Sequence, residues 1–346
     1  MSDFITPEKL LTELPLSSQC NEFVFTARET IKKILLQPDQ RILVVVGPCS
    51  IHDSTSAIEY AEKLRLEIEK HQETLCIVMR VYLEKPRTRT GWKGFLNDPH
   101  LNQNYAIEKG LPQARELLLT INKIGVPVAT EVVNPITAPY FLDLCGWIAI
   151  GARTTESQPH REFASGLAIP VGFKNNTSGD IQAAIDGVQS ASQSHHYVGI
   201  DFSGKINHIH SNGNPYCHVV LRGSKEKSND DLHSIQQTIN TLEKQRLAPR
   251  IMIDCSHGNS QKDHHQQLLS LQKIAGYISS GNHAILGVML ESNLVSGKQT
   301  WIPHQPLRYG QSITDACIGW EETVAALAML SESVRLRREN MVSYTV

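Results

Sequence analysis

The sequence lacks the cysteine spacing of a structural metal motif or a redox motif. Its seven cysteines contain no CxxC pair and are scattered from Cys20 to Cys317. An odd, scattered set of this kind favours a reducing compartment. We therefore expect a cytoplasmic protein.

The sequence also lacks an excess of charge and a long hydrophobic run. Lysine and arginine number 33 against 35 aspartates and glutamates, which gives a net charge of -2. A net charge this close to zero would not attract nucleic acid or anionic lipid to the protein as a whole, so any anion-binding site must come from a local group of cations. The opening MSDFITPEKLL has no basic leader followed by an apolar core, and no later stretch is long enough to cross a bilayer. We expect no nucleic-acid partner and no membrane partner.

What the sequence does contain is a regular alternation of short apolar runs with longer amphipathic runs. The clearest apolar run, residues 42–46, is β-branched and is stopped by Gly47 and Pro48, which is typical of a strand buried on both faces of a parallel sheet. Runs of this kind predict strands at residues 42–46, 75–81, 126–130, 147–150, 169–173, 218–221, 251–253 and 284–290. Amphipathic runs predict helices at residues 54–70, 106–124, 181–191, 230–245, 262–279 and 318–336. Repeated βα units of this number favour an α/β fold of the (β/α)8 TIM barrel type over a doubly wound sheet.

The remaining segments divide the chain around this barrel. Residues 1–40 are predicted to be an N-terminal extension that packs on the barrel or on a neighbouring subunit, with helices starting at Thr6 and over residues 22–36. Residues 41–346 are predicted to form the catalytic barrel. Residues 82–104 form a long loop dense in Lys, Arg, Gly and Pro, and loops of this length are usually functional. Residues 197–216, with a turn at Ser203 and Gly204, predict an inserted β-hairpin.

A charged or reactive side chain follows nearly every predicted strand. The carboxyl ends of barrel strands meet at one mouth, so we expect these side chains to converge there. In chain order they are Cys49, Arg80, Glu131, Arg153, Lys174, Arg222, His257 and Glu291, with Asp315 in the loop before the last helix.

Four of these residues form a candidate metal site. A thiolate from Cys49, an imidazole from His257 and carboxylates from Glu291 and Asp315 would suit a divalent transition ion better than magnesium or calcium. Their sequence spacing does not select them, because several other residues compete as ligands: His52, Asp254, Cys255 and Cys317.

Each of the four also has a structural interpretation. A free cysteine at a strand end is commonly a small buried apolar residue. His257 could be a hydrogen-bonded wall residue, and the two carboxylates could cap helices or pair with arginines.

The cations form a second group around the predicted mouth. A buried positive charge is costly unless an anion meets it, and both arginine forks and lysine ammonium groups suit phosphate and carboxylate oxygens. We therefore expect the site to bind more than one anionic group, as phosphorylated small molecules would supply. The cations are Arg80, Lys85, Arg87, Arg153, Lys174 and Arg222, with Arg89 and Lys93 nearby.

Over nearly its whole length the sequence resembles the class I 3-deoxy-D-arabino-heptulosonate 7-phosphate (DAHP) synthases of the bacterial and fungal type. The resemblance rests on motifs in the same order: GPCSIHD (47–53), MRVYLEKPRTRTGWKG (79–94), AIGARTTESQ (149–158), PVGFKN (170–175), LRG (221–223), DCSHGN (254–259), VMLESN (288–293) and SITDACIGW (312–320). The hairpin sequence HHYVGI is similar to that of the tyrosine-responsive kind. The family implies a (β/α)8 barrel with an N-terminal extension and an inserted hairpin, assembled as a homodimer or homotetramer.

The resemblance also implies roles for individual residues. The implied metal ligands are Cys49, His257, Glu291 and Asp315, for one ion of Mn, Fe, Co or Zn per subunit. The implied phosphoenolpyruvate site comprises Arg80, Lys85, Glu131, Ala152, Arg153, Lys174 and Arg222. The implied erythrose 4-phosphate site comprises Lys85, Pro86, Arg87, Thr88 and Asp315. Lys85, His257 and Glu131 are the implied catalytic residues.

The implied activity is the metal-dependent condensation of phosphoenolpyruvate with D-erythrose 4-phosphate and water, giving DAHP and inorganic phosphate at the start of the shikimate pathway. An aromatic amino acid is an expected effector. One alternative is a related synthase that uses arabinose 5-phosphate, against which the KPRT segment argues. The other is a catalytically silent paralogue that senses amino acids.

Overall fold

The computed structural model describes residues 4–303 and 305–343. Its strands are, in chain order, Ile42–Gly47 (β1), Leu75–Arg80 (β2), Val128–Glu131 (β3), Trp147–Ile150 (β4), Val171–Lys174 (β5), His196–Ile200 (β6), Ile206–His210 (β7), Cys217–Leu221 (β8), Ile251–Asp254 (β9), Ile285–Glu291 (β10), Val295–Lys298 (β11) and Gln311–Ser312 (β12). Eight of them close into a parallel barrel in the order β1-β10-β9-β8-β5-β4-β3-β2. The predicted barrel is confirmed, and its strands lie within about two residues of the predicted positions.

Alternating side chains of the barrel strands fill two cores, one inside the barrel and one between the strands and the surrounding helices. In β1, Leu43 and Val45 point into the barrel, whereas Val44 and Val46 pack against the surrounding helices. Both faces are therefore apolar, which is why the strands read as unbroken hydrophobic runs. The register pairs Val46 with Met79 and Gly47 with Glu291, so the residues after β1 and the ends of β2 and β10 share one rim.

The helices are Pro7–Glu13 (α1), Ser18–Leu35 (α2), Ser54–His71 (α3), Ile107–Ile124 (α4), Gln158–Ser165 (α5), Gln182–Ala191 (α6), Leu232–Lys244 (α7), His264–Ser279 (α8) and Trp320–Ser343 (α9). Those predicted from the sequence are present, with α2 beginning earlier and α9 ending later than expected. Helix α5 was missed because it is short and carries Pro159 in its first turn, and the small pair β11 and β12 was missed as well.

Helix α2 lies against the end of the barrel opposite the mouth, whereas α1 contacts the short helical turn 138–140. Ile31, Ile34 and Leu35 of α2 pack with Leu43 and Trp147 in the barrel interior. The side chain of Arg28 donates to the backbone oxygen of Cys145 at 2.8 Å, which fixes α2 to the segment before β4. The division of the chain at residue 40 stays a prediction, although these contacts accord with an extension that packs on the barrel.

Strands β6 and β7 form an antiparallel two-stranded sheet of their own, inserted between α6 and β8. The turn between them contains Gly204, whose φ of +79° is a left-handed conformation that glycine adopts readily. This is the predicted hairpin, with its strands confined to residues 196–210 and the rest of the predicted segment leading into β8.

Within the described residues, none of the helices is both long enough and apolar enough to cross a membrane.

Candidate active site at the barrel mouth

Most of the predicted site residues line one cavity of about 360 Å³ at the carboxyl ends of the strands. The loop 85–90 covers one side, and residues at or after the ends of β3, β4, β5, β8 and β9 line much of the rest, together with Lys262 and the loop before α9. The predicted residues that line this cavity are Lys85, Pro86, Arg87, Thr88, Glu131, Ala152, Arg153, Lys174, Arg222, His257 and Asp315. The expected convergence of strand ends on one mouth is thus observed.

Three of the predicted metal ligands meet beside this cavity. One ligand atom from each of Cys49, Glu291 and Asp315 lies within 4.8 Å of the others. Cys49 follows β1 and Glu291 ends β10, so the parallel register of the barrel brings them together. Asp315 arrives on the loop between β12 and α9. Cys49 and Glu291 are buried, whereas Asp315 is half-buried and faces the cavity.

His257, the fourth predicted ligand, adjoins this group from the end of β9. Its Nε2 lies 3.3 Å from Oε1 of Glu291, while its Nδ1 lies 2.9 Å from Oδ2 of the buried Asp254. A carboxylate behind the ring fixes which nitrogen faces forward, an arrangement that recurs behind metal-binding histidines. The backbone of His257 has a φ of +54°, and such strained non-glycine residues cluster at functional sites.

The residues that competed as ligands do not join this group. Among the described residues, His52, Asp254, Cys255 and Cys317 are absent from the clusters whose ligand atoms lie within 4.8 Å of one another. His257 is absent from them too, but its Nε2 lies 3.3 Å from Glu291. Asp254 instead lies behind the cavity, where its Oδ2 also accepts from Nζ of Lys174 at 2.9 Å.

Burial and charge perturb the titration of this cluster. Burial raises the pKa of the Cys49 thiol, and the Glu291 carboxylate raises it further. Burial also acts to raise the pKa of Glu291, but His257 and Arg80 outweigh it and hold that pKa below its ordinary value. For Asp315, His257 and Lys85 outweigh burial in the same way, so its pKa is lowered. The carboxylates stay ionised, and a bound metal ion would favour loss of the thiol proton.

The donor set fits a divalent transition ion. It combines one sulfur, one imidazole nitrogen and two carboxylates, which is softer than the all-oxygen set that calcium and magnesium prefer. Cys49 and Glu291 are removed from water, where a bound ion would offset the negative charge of the carboxylate and of the thiolate that forms with it. The described residues thus include a group that can hold a metal ion.

Some of the predicted cations line the cavity or reach its floor, and one is buried beneath it. Arg153, Lys174 and Arg222 line the cavity, and Lys85 reaches its floor, with Nζ 3.2 Å from Sγ of Cys49. Arg80 lies below the floor and is buried. It pairs with Glu291 at 2.9 Å and stacks on the ring of Tyr82.

The loop 82–104 shapes the open side of the cavity. The backbone nitrogen of Lys85 donates to the backbone oxygen of Lys93 at 2.8 Å, and Nε of Arg87 donates to the backbone oxygen of Trp92 at 2.7 Å. Trp92 is buried and anchors the loop. Across the cavity, Nε of Arg153 donates to the hydroxyl of Thr88 at 3.1 Å, which joins the loop to the segment after β4.

The structure also draws attention to three further residues. The sequence suggested Asp254 only as a competing metal ligand and assigned no role to the other two. Asp254 supports both His257 and Lys174, and its place at a strand end inside DCSHGN was the available signal. Lys262 pairs with Asp315 at 3.1 Å, and nothing in its local sequence marks it. Glu84 is buried next to Lys85 and accepts from the hydroxyl of Thr137 at 3.0 Å; burial raises the pKa of its carboxyl to about 7.

Comparison with known proteins agrees with this geometry. A model of the DAHP synthetase I family matches residues 21–328. A Trp-sensitive phospho-2-dehydro-3-deoxyheptonate aldolase of Salmonella typhimurium is 46% identical over 337 residues, which cover 97% of this chain and 97% of that protein. A Tyr-sensitive enzyme of the same name from Escherichia coli is 45% identical over 331 residues, covering 95% of this chain and 93% of that protein.

Among solved structures, a phospho-2-dehydro-3-deoxyheptonate aldolase from Francisella tularensis superposes with a TM-score of 0.95 at 48% identity, covering 97% of this chain and 98% of that chain. Since Trp-sensitive and Tyr-sensitive enzymes match about equally, these relatives do not single out the tyrosine-responsive kind. The class I resemblance itself is confirmed, and the chain belongs to the DAHP synthetase I family.

Proposed function

We propose that this DAHP synthase condenses phosphoenolpyruvate with D-erythrose 4-phosphate and water at the barrel mouth, giving DAHP and inorganic phosphate. The reaction would open the shikimate pathway to aromatic amino acids. The observation that carries the proposal is that one cavity adjoins both a set of metal-binding donors and several fixed cations. Two phosphorylated substrates need both features, because their negative charges must be neutralised before their carbon atoms can approach.

Phosphoenolpyruvate would lie on the side of the cavity lined by Arg153, Lys174 and Arg222. Arginine forks suit its phosphate and carboxylate oxygens, and Lys174 is already held in place by Asp254. Ala152 and Glu131 complete this wall, and Arg80 would add its positive charge from beneath, although its guanidinium pairs with Glu291.

Erythrose 4-phosphate would lie under the loop that carries Lys85, Pro86, Arg87 and Thr88. Arg87 and Thr88 would meet its phosphate, which places its aldehyde toward Asp315 and the donor cluster. One divalent transition ion, drawn from Mn, Fe, Co and Zn, would be held by Cys49, His257, Glu291 and Asp315, and when bound it supplies Lewis acidity for the aldehyde oxygen.

The chain's own residues would move the protons. The methylene carbon of phosphoenolpyruvate would attack the aldehyde carbon, and Lys85, which would lie between both substrates, would donate a proton to the developing alkoxide. Water would then add to the neighbouring carbon, which bears the phosphate. The bond between that carbon and the phosphate oxygen would break as inorganic phosphate leaves, giving the ketone. Both Glu131 and His257 line the cavity, and Glu131 is the better candidate for taking the proton of that water. An ion at Nε2 of His257, with Asp254 at Nδ1, would leave that ring no free nitrogen.

An aromatic amino acid is the proposed effector, as the names of the Trp-sensitive and Tyr-sensitive relatives suggest. A separate groove of about 660 Å³ between the hairpin and α5 offers space for an aromatic ring, with Phe163, Tyr197 and Ile209 among its lining residues. Addition of each aromatic amino acid to the turnover assay tests this proposal.

We propose a homodimer or homotetramer in the cytoplasm. Phe4 and Phe25 of the N-terminal extension are 50% and 60% exposed, and contact with a neighbouring subunit would cover them. The seven cysteines are all free thiols, as a reducing compartment requires.

Phosphate release from both substrates with added manganese tests the proposal. Cys49→Ser is expected to lose most metal-dependent turnover and metal affinity while keeping the fold, because the hydroxyl is a poor substitute for thiolate. Cys76→Ser, a half-buried thiol on β2 remote from the mouth, is the matched control and should behave as wild type. Full turnover of Cys49→Ser without bound metal would contradict the assignment.

Two rival functions give different results in the same assay. A synthase specific for arabinose 5-phosphate would release phosphate with that sugar and not with erythrose 4-phosphate. A silent amino-acid sensor would release none with either sugar, although it would still bind aromatic amino acids.

A further inference from the structure

The outward face of the hairpin carries three histidines. The register of β6 and β7 sets His196 opposite His210 and Val198 opposite His208. Because alternate residues of a strand share a face, His196, His208 and His210 lie on one side. All three are exposed, and the neighbouring positions Tyr197 and Ile209 face the opposite way, into the apolar groove.

Two of these rings present nitrogens to each other. Nδ1 of His196 lies 3.1 Å from Nε2 of His208 on the adjacent strand. The ring of His210 stacks on that of His196, with centroids 4.2 Å apart and planes within 3°, which restrains the His196 ring. Metal–imidazole bonds are about 2.0–2.1 Å long, so nitrogens at this separation subtend an angle of about 100° at a shared ion. That angle lies between square-planar and tetrahedral geometry.

We propose that His196 and His208 form a second metal site, which binds a divalent transition ion such as Cu²⁺, Ni²⁺ or Zn²⁺ on the surface of the hairpin. Neutral imidazole is a preferred ligand of these ions, and water can complete the coordination at an exposed position. In the ion-free protein one proton lies between the facing nitrogens. Each neutral ring holds one proton, so binding moves the shared proton to the outer nitrogen of the ring that carries it, by exchange through solvent. Both facing lone pairs are then left to the ion, and the outer nitrogen of each ring carries a proton.

The hairpin has a physical use for such a cross-link. Its two strands pair only with each other, and an isolated two-stranded hairpin is marginally stable. An ion held by one residue from each strand closes the loop through Gly204 and offsets part of its conformational entropy. Since the opposite face of the same strands forms one wall of the apolar groove, an occupied site stiffens that wall.

Copper titration of the chelator-treated full chain tests the site, with electron paramagnetic resonance as the readout. Wild type is expected to take up one Cu²⁺ per chain with two nitrogen ligands, in addition to any ion at the mouth, where sulfur contributes. His196→Asn and His208→Asn should each lose the two-nitrogen signal, with affinity reduced at least tenfold. His233→Asn, an exposed histidine on α7, is the matched control and should keep it.

Other measurements separate this site from the mouth. Turnover of His196→Asn and His208→Asn should equal that of wild type, which also reports that both variants fold. Cys49→Ser should keep the two-nitrogen signal, whatever becomes of its activity. Ni²⁺ should slow proteolysis at the hairpin turn in wild type and not in His208→Asn. The proposal is overturned if both histidine variants bind Cu²⁺ as wild type does, or if wild type binds none outside the mouth.

Discussion

At the scale of single residues, the position of the Glu131 carboxylate in the cavity depends on Gly151, where a side chain would not fit. Gly151 follows β4, and a Cβ placed there would lie 2.8 Å from Cδ of Glu131, closer still to one of its carboxylate oxygens. The missing side chain therefore leaves the space that the Glu131 carboxylate occupies. Glycine is needed at position 151 because the Glu131 side chain lies so close to the backbone, and not because the backbone adopts a conformation that only glycine favours.

Gly151→Ala is expected to push the Glu131 carboxylate out of place and lower kcat/KM by about 10- to 100-fold, since small misplacements at a reacting centre are costly. Steady-state phosphate release measures it. The control is Gly276→Ala on the exposed side of α8, where a Cβ meets no atom within 4 Å. This control should keep wild-type turnover and gain about 0.5–1 kcal/mol of stability from helix propensity. Wild-type kcat/KM in Gly151→Ala would contradict the role given to this contact.

A second residue, Glu84, makes stability depend on pH. Burial raises its pKa from 4.5 to about 7, so the folded protein holds this proton more tightly than the unfolded chain does. The stability it contributes is present at low pH and is lost as pH rises toward and through the folded-state pKa.

Glu84→Gln keeps a side-chain oxygen that can accept from the hydroxyl of Thr137 and removes the ionisable group. Relative to wild type, its free energy of unfolding should therefore increase between pH 5 and pH 8, by roughly 3 kcal/mol at the upper end. Denaturant unfolding at several pH values measures the difference between the two proteins. A difference that does not change with pH would show that Glu84 ionises as an exposed carboxyl does.

At the scale of elements, α2 closes the end of the barrel remote from the chemistry. Ile31 and Ile34 are fully buried against interior residues of β1 and β4. Ile31→Ala should cost about 3 kcal/mol in the free energy of unfolding, because it removes apolar contacts and leaves a cavity. Lys33→Ala, exposed on the same helix, is the control and should change stability little. If Ile31→Ala unfolds at the same denaturant concentration as Lys33→Ala, α2 is not part of the barrel core.

The strands and helices also show which parts of the structure could be predicted from the sequence. Buried strands such as β1 and β10 are predictable because both of their faces are apolar. Once a parallel barrel is predicted, the residues that follow its strands are expected at the same rim. Helix α5 was hidden by its length and its proline. The contact of His257 with Asp254 depends on the left-handed backbone at His257, which no pattern of residues indicates. The sequence allowed Glu291 to pair with an arginine, but it could not show that this arginine is Arg80, buried beneath the cavity, because that depends on side-chain packing.

At the scale of the whole molecule, the fold gathers into one site residues that are distributed along most of the chain. The chain is nearly neutral, at a net charge of -2, so the attraction for anionic substrates comes from the mouth and not from the surface as a whole. Closure of the barrel is what brings the sulfur after β1 to the carboxylate that ends β10. The central claim is therefore that Cys49, His257, Glu291 and Asp315 surround a single ion beside the cations.

Anomalous diffraction at the manganese edge, from crystals of the full chain grown with Mn²⁺, measures this directly. The predicted result is one strong peak at the mouth within coordination distance of Sγ of Cys49, Nε2 of His257 and the carboxylates of Glu291 and Asp315. A mouth without a peak, or a peak there held by other side chains, would contradict the account.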